Sequence, residues 1–461
     1  MNNNESVKIY KTGSAISNIQ IEGNIINKII RGLSINEVKA IKEGIKVLEG
    51  KLPNTILSPI TINDKKETGE DSYTINYTQN LLKPWIDKEF ISSALLLKIA
   101  YLIINQQTVL ADYNLTLVDA RPQNYWIFNK PYVLVDIGSI KPLNRINIES
   151  FRADFLNNFV YPLLIEKNLG IPISSYFKGS IQNFQINPLS MTTTWSSLTL
   201  ATEFIRRDFI DFVSNSISAS SPEFISYLNS ISDKERNEAV FQNLSKPKKL
   251  FRRYKKIIDR VAPSKTKKSN WDKYTLVHNN DYTKLKLKII DKFINGLDNS
   301  CKIADLGSNL TTSNDPRINL LVDNDLTVCR ILEENCLQEQ VVLLIDISEA
   351  MTAQNTKDFD ALNCNGYINS AIVTGIMHHI IIDYGLCIEA FYEALSSLYE
   401  NILLEYPSVD DPMVRLLLNK KNEKVRWDWH KDHLDVCSKF FNITNEIRIS
   451  ETRKIFFLSR K

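Results

Sequence analysis

A chain of 461 residues exceeds what one ordinary core organises, so two or three domains are expected, with two as the starting number. Hydrophobic residues at 43% and charged residues at 24%, with 14 glycines and 15 prolines, exclude a collagenous or disordered chain. A formal charge of +3 is too small to create a field for nucleic acid over the whole molecule, so nucleic acid is not an expected partner and any such case rests on a local patch.

The opening MNNNESVKIYK is polar throughout, and no secretory signal is expected. Short apolar runs such as NIQIEGNIINKII precede INEVKAIKEGIKVLEG, where Ile35, Val38, Ile41, Ile45, Val47 and Leu48 recur at helical spacing up to Gly50. That pattern predicts a small strand-and-helix lobe. The most apolar window, Phe90 to Ile104, is too short to span a bilayer and contains Lys98, so it predicts a buried helix and no transmembrane segment. Two β-rich segments follow, LTLVD and YVLVD, separated by a polar loop with Pro122 and Asn124. Helical patterns then dominate from Ile148 to Leu244.

Within VDARPQNYWIFNKPYVLVDIG, Asp119, Asn124 and Asp136 have the spacing of a protein kinase's catalytic base and metal-binding groups, and Arg121 stands where a phosphate-neutralising lysine would. This resembles the C-lobe of a kinase or aminoglycoside phosphotransferase. Several partners are missing: there is no G-x-G-x-x-G loop and no V-A-I-K-like strand, and Val118 stands where histidine is usual. Lys8, Lys11 and Lys28 lie in the early strands, and nothing in the sequence selects among them as a substitute lysine. Three readings follow: a kinase-like scaffold that positions an acceptor or partner, an active phosphotransferase using ATP and magnesium, or a turn that Asp119 and Asn124 merely stabilise.

Residues 245–270, SKPKKLFRRYKKIIDRVAPSKTKKSN, crowd basic side chains against the single acid Asp259. The domain junction is placed here, with one domain over 1–244 and another over 271–461. The segment reads either as a solvated linker helix or as a patch for a polyanion such as nucleic acid or an anionic membrane surface.

From Lys284 onward helices alternate with apolar strands, which means a parallel sheet covered on both faces. In such a sheet the ligand sits outside the carboxyl ends of the strands. Those ends carry Asp305, Gly307, Ser308 and Asn309, then Asp323, then Asp346, then Gly375 with His378 and His379, then Glu405. Gly307 permits a tight turn close to a ligand, Asp323 can accept both hydroxyls of a ribose, and Asp346 can accept from an adenine amino group. One glycine is too few for the pyrophosphate of a nicotinamide dinucleotide, so a nucleoside cofactor without phosphates fits better. The six cysteines all lie in this half without a C-x-x-C pair, and reduced core thiols in a cytoplasmic protein are expected. His430 and His433 in WDWHKDH lack a further Cys/His pair at ligand spacing, so no metal site is expected.

Taken in order, IADLGSN, LLVDND, VVLLIDIS and INSAIVTGIMHHI resemble the motifs of class I S-adenosylmethionine-dependent methyltransferases. NWDKY, MHH, LLEYPSVDDPMVRLLL and RKIFFLSRK, with VDARPQN, VLVDIGSI and FRADFLNNFVYPLLI in the first half, resemble the bacterial nodulation-protein (NoeA-like) type, and this likeness covers nearly the whole chain. The fold implied is α/β: a C-terminal Rossmann-like class I methyltransferase sheet preceded by an α+β kinase-like domain. The activity implied is methyl transfer to a hydroxyl of a glycan or biosynthetic small molecule. Asp305, Gly307, Ser308, Asn309, Asp323, Asp346 and Gly375 would hold S-adenosyl-L-methionine, and His379, His378 or Glu405 would serve as base or orient the acceptor. Leu310 and Thr311 depart from the family's second glycine. A bifunctional kinase and methyltransferase capping a surface polysaccharide, and a catalytically silent scaffold, are the alternative readings.

Overall fold

The computed structural model describes residues 8–11, 17–67, 71–128, 130–179, 247–263, 280–309, 313–354, 356–420 and 429–461. Two compact units result, Met1–Lys83 with Leu96–Ser264 and Pro84–Leu95 with Lys265–Lys461. The helical patterns expected between 180 and 244, the NWDKY motif and Leu310-Thr311 lie outside the described residues.

In the first unit β1 (Lys8–Lys11), β2 (Ser17–Glu22) and β3 (Ile25–Leu33) lead into α1 (Ile35–Lys51), which is followed by β4 (Thr61–Lys66) and β5 (Tyr73–Asn80). The strands pair antiparallel in the order β1-β2-β3-β5-β4. α1 starts where it does because Ser34 and Glu37 form a capping box: the Ser34 amide donates to Glu37 Oε2 at 2.8 Å and the Glu37 amide to Ser34 Oγ at 3.3 Å. Val38, Ile41, Ile45 and Leu48 turn one face inward, with Gly44 directly over Ile140.

α2 (Ser93–Ala111) is the one helix among the described residues long and apolar enough to cross a membrane, so the expectation drawn from the shorter window 90–104 understated its length. Burial, not length, distinguishes it: Leu96, Ile99, Ala100 and Ile103 are fully buried within the protein. β6 (Leu115–Leu117), β7 (Tyr125–Trp126), β8 (Val133–Leu134) and β9 (Ile140–Pro142) make two short antiparallel pairs, β6 with β9 and β7 with β8. α3 (Arg145–Phe155), a π-helical turn (Leu156–Val160), α4 (Tyr161–Leu169), α5 (Ile173–Phe177) and α6 (Pro247–Val261) complete this unit, a mixed α+β domain.

The second unit begins its sheet domain with α7 (Asn280–Asn295), then β10 (Ile303–Leu306), β11 (Ile318–Asp323), α8 (Leu326–Asn335), β12 (Val341–Leu344), α9 (Ile347–Thr352), α10 (Lys357–Ala361), β13 (Ser370–Val373), α11 (Ile388–Leu398) and β14 (Asn401–Pro407). α12 (Pro412–Lys420), α13 (Trp429–Phe440), β15 (Phe441–Arg448) and β16 (Arg453–Arg460) end it. The seven strands lie in the order β12-β11-β10-β13-β14-β16-β15; β10 to β14 run parallel, and β16 is antiparallel to both its neighbours. This is a Rossmann-like sheet, and its order reverses between β10 and β13.

IADL, VVLL and SAIV are buried at every position, as strands covered on both faces must be. Ile290, Ile294, Ile303, Leu321, Val342, Ile372 and Leu403 form one continuous core between α7 and the sheet. The segment 84–95 reaches the free edge of β12, where Ile91 bridges Leu343 antiparallel and so covers unpaired backbone groups. All six cysteines are free thiols, but Cys387 is exposed and Cys336 half-buried, contrary to the expectation of core thiols throughout. Cys387 is pulled to the surface by its position as N-cap of α11, where its Sγ accepts the Ala390 amide at 3.4 Å.

Candidate functional site

The turn after β10 is built by Gly307 and Ser308. Gly307 has φ +70°, a conformation L side chains rarely adopt, and a Cβ there would run into Ile376 Cγ2. Both the Gly307 and Ser308 amides donate to the Val322 carbonyl, at 2.9 and 3.1 Å, while Ser308 Oγ donates to the Asp305 carbonyl at 2.7 Å and accepts the Val322 amide at 3.1 Å. The serine thus stitches the ends of β10 and β11 together. Asp323 ends β11 and is almost fully buried. Its Oδ2 accepts the Asn309 amide at 3.0 Å and its Oδ1 the Asp325 amide at 2.9 Å. Burial raises its pKa, and the backbone donors oppose the rise.

Gly307, Ser308, Asn309, Asp323 and Asn324 from this side meet Thr374, Gly375, Ile376, His379 and Ile380 from the other around a cavity of about 260 Å³, with Lys286, Ile347, Ser348, Asp383 and Tyr384 completing its wall. The cavity lies where the strand order reverses. Gly375, with φ +74°, makes the turn after β13. A π-helical turn (His379–Asp383) follows, of the kind that often marks functional sites, and it places Asp383 Oδ2 2.9 Å from His379 Nδ1. This contact fixes the orientation of the ring through Nδ1.

Other expected site residues stand differently. Asp305 is buried at the end of β10 and does not line the cavity. Asp346 caps α9, with Oδ1 accepting the Ser348 and Glu349 amides at 3.0 and 3.1 Å, and its Oδ2 accepts the Tyr384 hydroxyl at 2.7 Å. His378 is buried behind the wall, its ring centroid 4.4 Å from that of His379 and tilted 38° to it, and burial pushes its pKa down to about 3, so the imidazole is neutral.

Glu405 belongs to a buried ion cluster. Arg453 Nη1 donates to its Oε1 at 2.7 Å, the Tyr282 hydroxyl to the same oxygen at 2.6 Å, and the Lys286 ammonium lies 3.3 Å from Oε2. Burial would raise the Glu405 pKa, but Lys286 and Arg453 outweigh it and hold the carboxyl at about 2. Arg453 also forks onto Asp411, Nε to Oδ2 at 2.8 Å and Nη2 to Oδ1 at 3.1 Å. Asp411 is buried with it. The cluster balances Glu405 and Asp411 against Arg453 and Lys286, and only Lys286 reaches the cavity. His433 packs in the core, stacked on Tyr406 at 4.1 Å and bonded to the Tyr392 hydroxyl through Nδ1; the His430 side chain lies outside the described residues.

In the first unit Lys28, on β3, forms an ion pair with Asp136. The sequence left Lys8, Lys11 and Lys28 undecided; of these, Lys28 is the one whose side chain is described, and it meets Asp136. Gly138 keeps the contact tight, since a Cβ there would lie 2.5 Å from Ile30 Cδ1 and 3.3 Å from Asp136 Oδ1. Asn124 Nδ2 donates to the Asp119 carbonyl at 2.7 Å, and Arg121 Nε lies 2.7 Å from Asp119 Oδ1. Arg121 also reaches Asp154 at 3.3 Å; burial, relieved by Arg121 and reinforced by Asp119, lifts the Asp154 carboxyl to about 6. Lys286, Asp383 and Lys28 were not singled out by the sequence. Only Asp383 carried a signal, its four-residue offset from His379.

No family model matches this chain, and no curated protein matches it, so the nodulation-protein-type likeness rests on the motifs alone. Among solved structures, a crystal structure of WbdD is similar at 17% identity over 42% of this chain and 43% of that chain, with a TM-score of 0.27. A co-crystal structure of WbdD with the kinase inhibitor LY294002 is similar at 14% identity over 38% and 40%, with a TM-score of 0.25. The matched region spans less than half of either structure, and likeness at this level carries no functional argument.

Proposed function

We propose that the chain is an S-adenosylmethionine-dependent methyltransferase acting on a hydroxyl of a glycan or biosynthetic small molecule. One observation carries this reading: the Gly307 turn, the buried Asp323 carboxylate, the Gly375 turn and the His379–Asp383 pair converge on a single cavity at the switch point of the sheet. The residues fit the donor, because the positive-φ turn at Gly307 lets the backbone pack close against Ile376 at the cavity wall, and Asp323 is a buried acceptor beside it. Asp323 would accept the ribose hydroxyls, Asn309 and Gly375 would line its approach, and the Lys286 ammonium would face a carboxylate.

When bound, the donor supplies an electrophilic methyl group on a sulfonium. His379 would supply the base: held at Nδ1 by Asp383, its imidazole would take the proton of the acceptor hydroxyl that receives that methyl group. Glu405, ionised among its cations, is too weak a base for this step, and His378 is walled off; both shape the cavity from behind. Calorimetry with S-adenosylmethionine and with its demethylated product is the test. Heat with both ligands, weakened about 10- to 100-fold in Asp323→Ala, is expected; no heat with either rejects the reading.

A second reading is favoured by the Lys28–Asp136 pair: the first unit keeps a strand lysine opposite the second aspartate of a kinase-like set, and with ATP and magnesium bound there it would add phosphoryl transfer to methyl transfer. Magnesium-dependent ATP turnover that vanishes in both Lys28→Ala and Asp136→Ala supports this bifunctional reading. Failure of the intact chain to bind ATP at millimolar concentration removes it.

A further inference from the structure

We infer that α6 (Pro247–Val261) docks the chain electrostatically onto an anionic lipid surface. The helix has 15 residues, about 22 Å at helical rise, and its two faces are sharply divided. Phe251, Tyr254, Ile257, Ile258 and Val261 are buried. Phe251 and Tyr254 each pack edge-on against Phe151 at 5.7 Å, and Tyr254 does the same to Phe155 at 5.5 Å. The outer face carries Lys249, Arg252, Arg253, Lys255 and Lys256, all exposed, and among the described residues none of them has an ion-pair partner.

The neighbouring charges are already engaged. Lys248 pairs with Asp112, and Asp259, the helix's single acid, accepts the Tyr101 hydroxyl at 2.7 Å. The Lys167 ammonium donates to the Arg260 carbonyl at the C-terminal end. These ties anchor both ends of the helix to the fold and leave the cations between them to solvent. A protein of net charge +3 that concentrates so many unpaired cations on one straight stripe has a local attraction for polyanions that its overall charge does not supply.

The stripe fits a lipid surface better than a nucleic acid. Single-stranded nucleic acid is held by aromatic platforms interleaved with cations, and here every aromatic of the helix faces the core. Base edges in a duplex are read with amides as well as cations, and α6 offers no asparagine or glutamine. A plane of anionic headgroups asks only for cations within a Debye length, worth about five-fold in binding for each Lys or Arg. Because the apolar face of α6 is committed to the core, the helix cannot insert, and attachment is purely electrostatic and reversible by salt.

The test is flotation of the full chain with phosphatidylcholine vesicles, with and without phosphatidylglycerol. Binding only to the anionic vesicles, released in about 1 M salt where the Debye length is about 3 Å, is expected. Arg252→Glu/Arg253→Glu/Lys256→Glu should weaken it about 100-fold or more, whereas Lys39→Glu/Lys46→Glu/Lys51→Glu, a matched set on the exposed face of α1, should leave most of it. If the glutamate triple fails to fold by circular dichroism, the same positions changed to glutamine should show a smaller loss in the same direction. Absent binding to anionic vesicles, equal binding to neutral ones, equal loss in the control triple, or tighter binding of a DNA duplex than of the vesicles overturns the inference.

Discussion

In the proposed reaction, the pairing of His379 with Asp383 sets the orientation of the base at the cavity wall. The imidazole is held at Nδ1 by a carboxylate contact of 2.9 Å, which would fix its orientation toward an acceptor. His379→Ala should lower methyl transfer about 10²- to 10⁴-fold, the usual span for losing a positioned base. Asp383→Asn should lower it less and shift its pH profile, with little change in donor binding measured by calorimetry; an unchanged profile would remove Asp383 from its positioning role. At Gly307 the constraint is backbone geometry. Gly307→Ala combines a positive φ with a clash against Ile376 and should abolish donor binding while lowering stability by about 1 kcal/mol or more in urea titration.

At the scale of elements, α1 illustrates propensity overruled by packing. Replacing a glycine in a helix interior by alanine ordinarily stabilises by about 1 kcal/mol. At Gly44 the new Cβ would lie 2.5 Å from Ile140 Cγ2, so Gly44→Ala should instead destabilise the first unit, and a rise in its urea midpoint would contradict this packing. The parallel strands illustrate the reverse, elements whose local signal and tertiary role agree: apolar runs of four residues ending in polar turns are buried at every position. α2 lies between these cases. Its composition alone satisfies a membrane span, and only the side chains packed on it make it a core helix.

For the molecule as a whole, the ion cluster behind the cavity makes acid the stress to which the second unit is most sensitive. His378 takes its proton near 6.5 when unfolded but only near 3 when folded, so between those values the unfolded state binds more protons and stability falls as pH falls. Glu405 is depressed from 4.5 to about 2, so the stability it contributes is complete above 4.5 and is lost as pH drops toward 2. The urea midpoint of the second unit should therefore decline from about pH 6.5 downward. His378→Asn should flatten the upper part of that decline, and an unaltered slope in the variant would refute the assignment. Arg453→Met strands two buried carboxylates and should cost about 3–5 kcal/mol.

Periodicity and strand-end chemistry were enough to read from the chain the alternation of helices and strands, the carboxylates at the sheet edge and the glycine turn after β10, because these are local properties of a few consecutive residues. Tertiary structure alone decided which of them meet. Asp323 and His379 reach one cavity while Asp346 turns to cap a helix and His378 to the core, since adjacent residues on one turn point in different directions. Lys28 meets Asp136 across 108 residues of sequence, and Glu405 was changed from a candidate base to a fixed anion by Arg453, which arrives from β16. Proton affinity and side-chain partnership depend on neighbours distant in sequence, and only the folded chain brings those neighbours within a few ångströms.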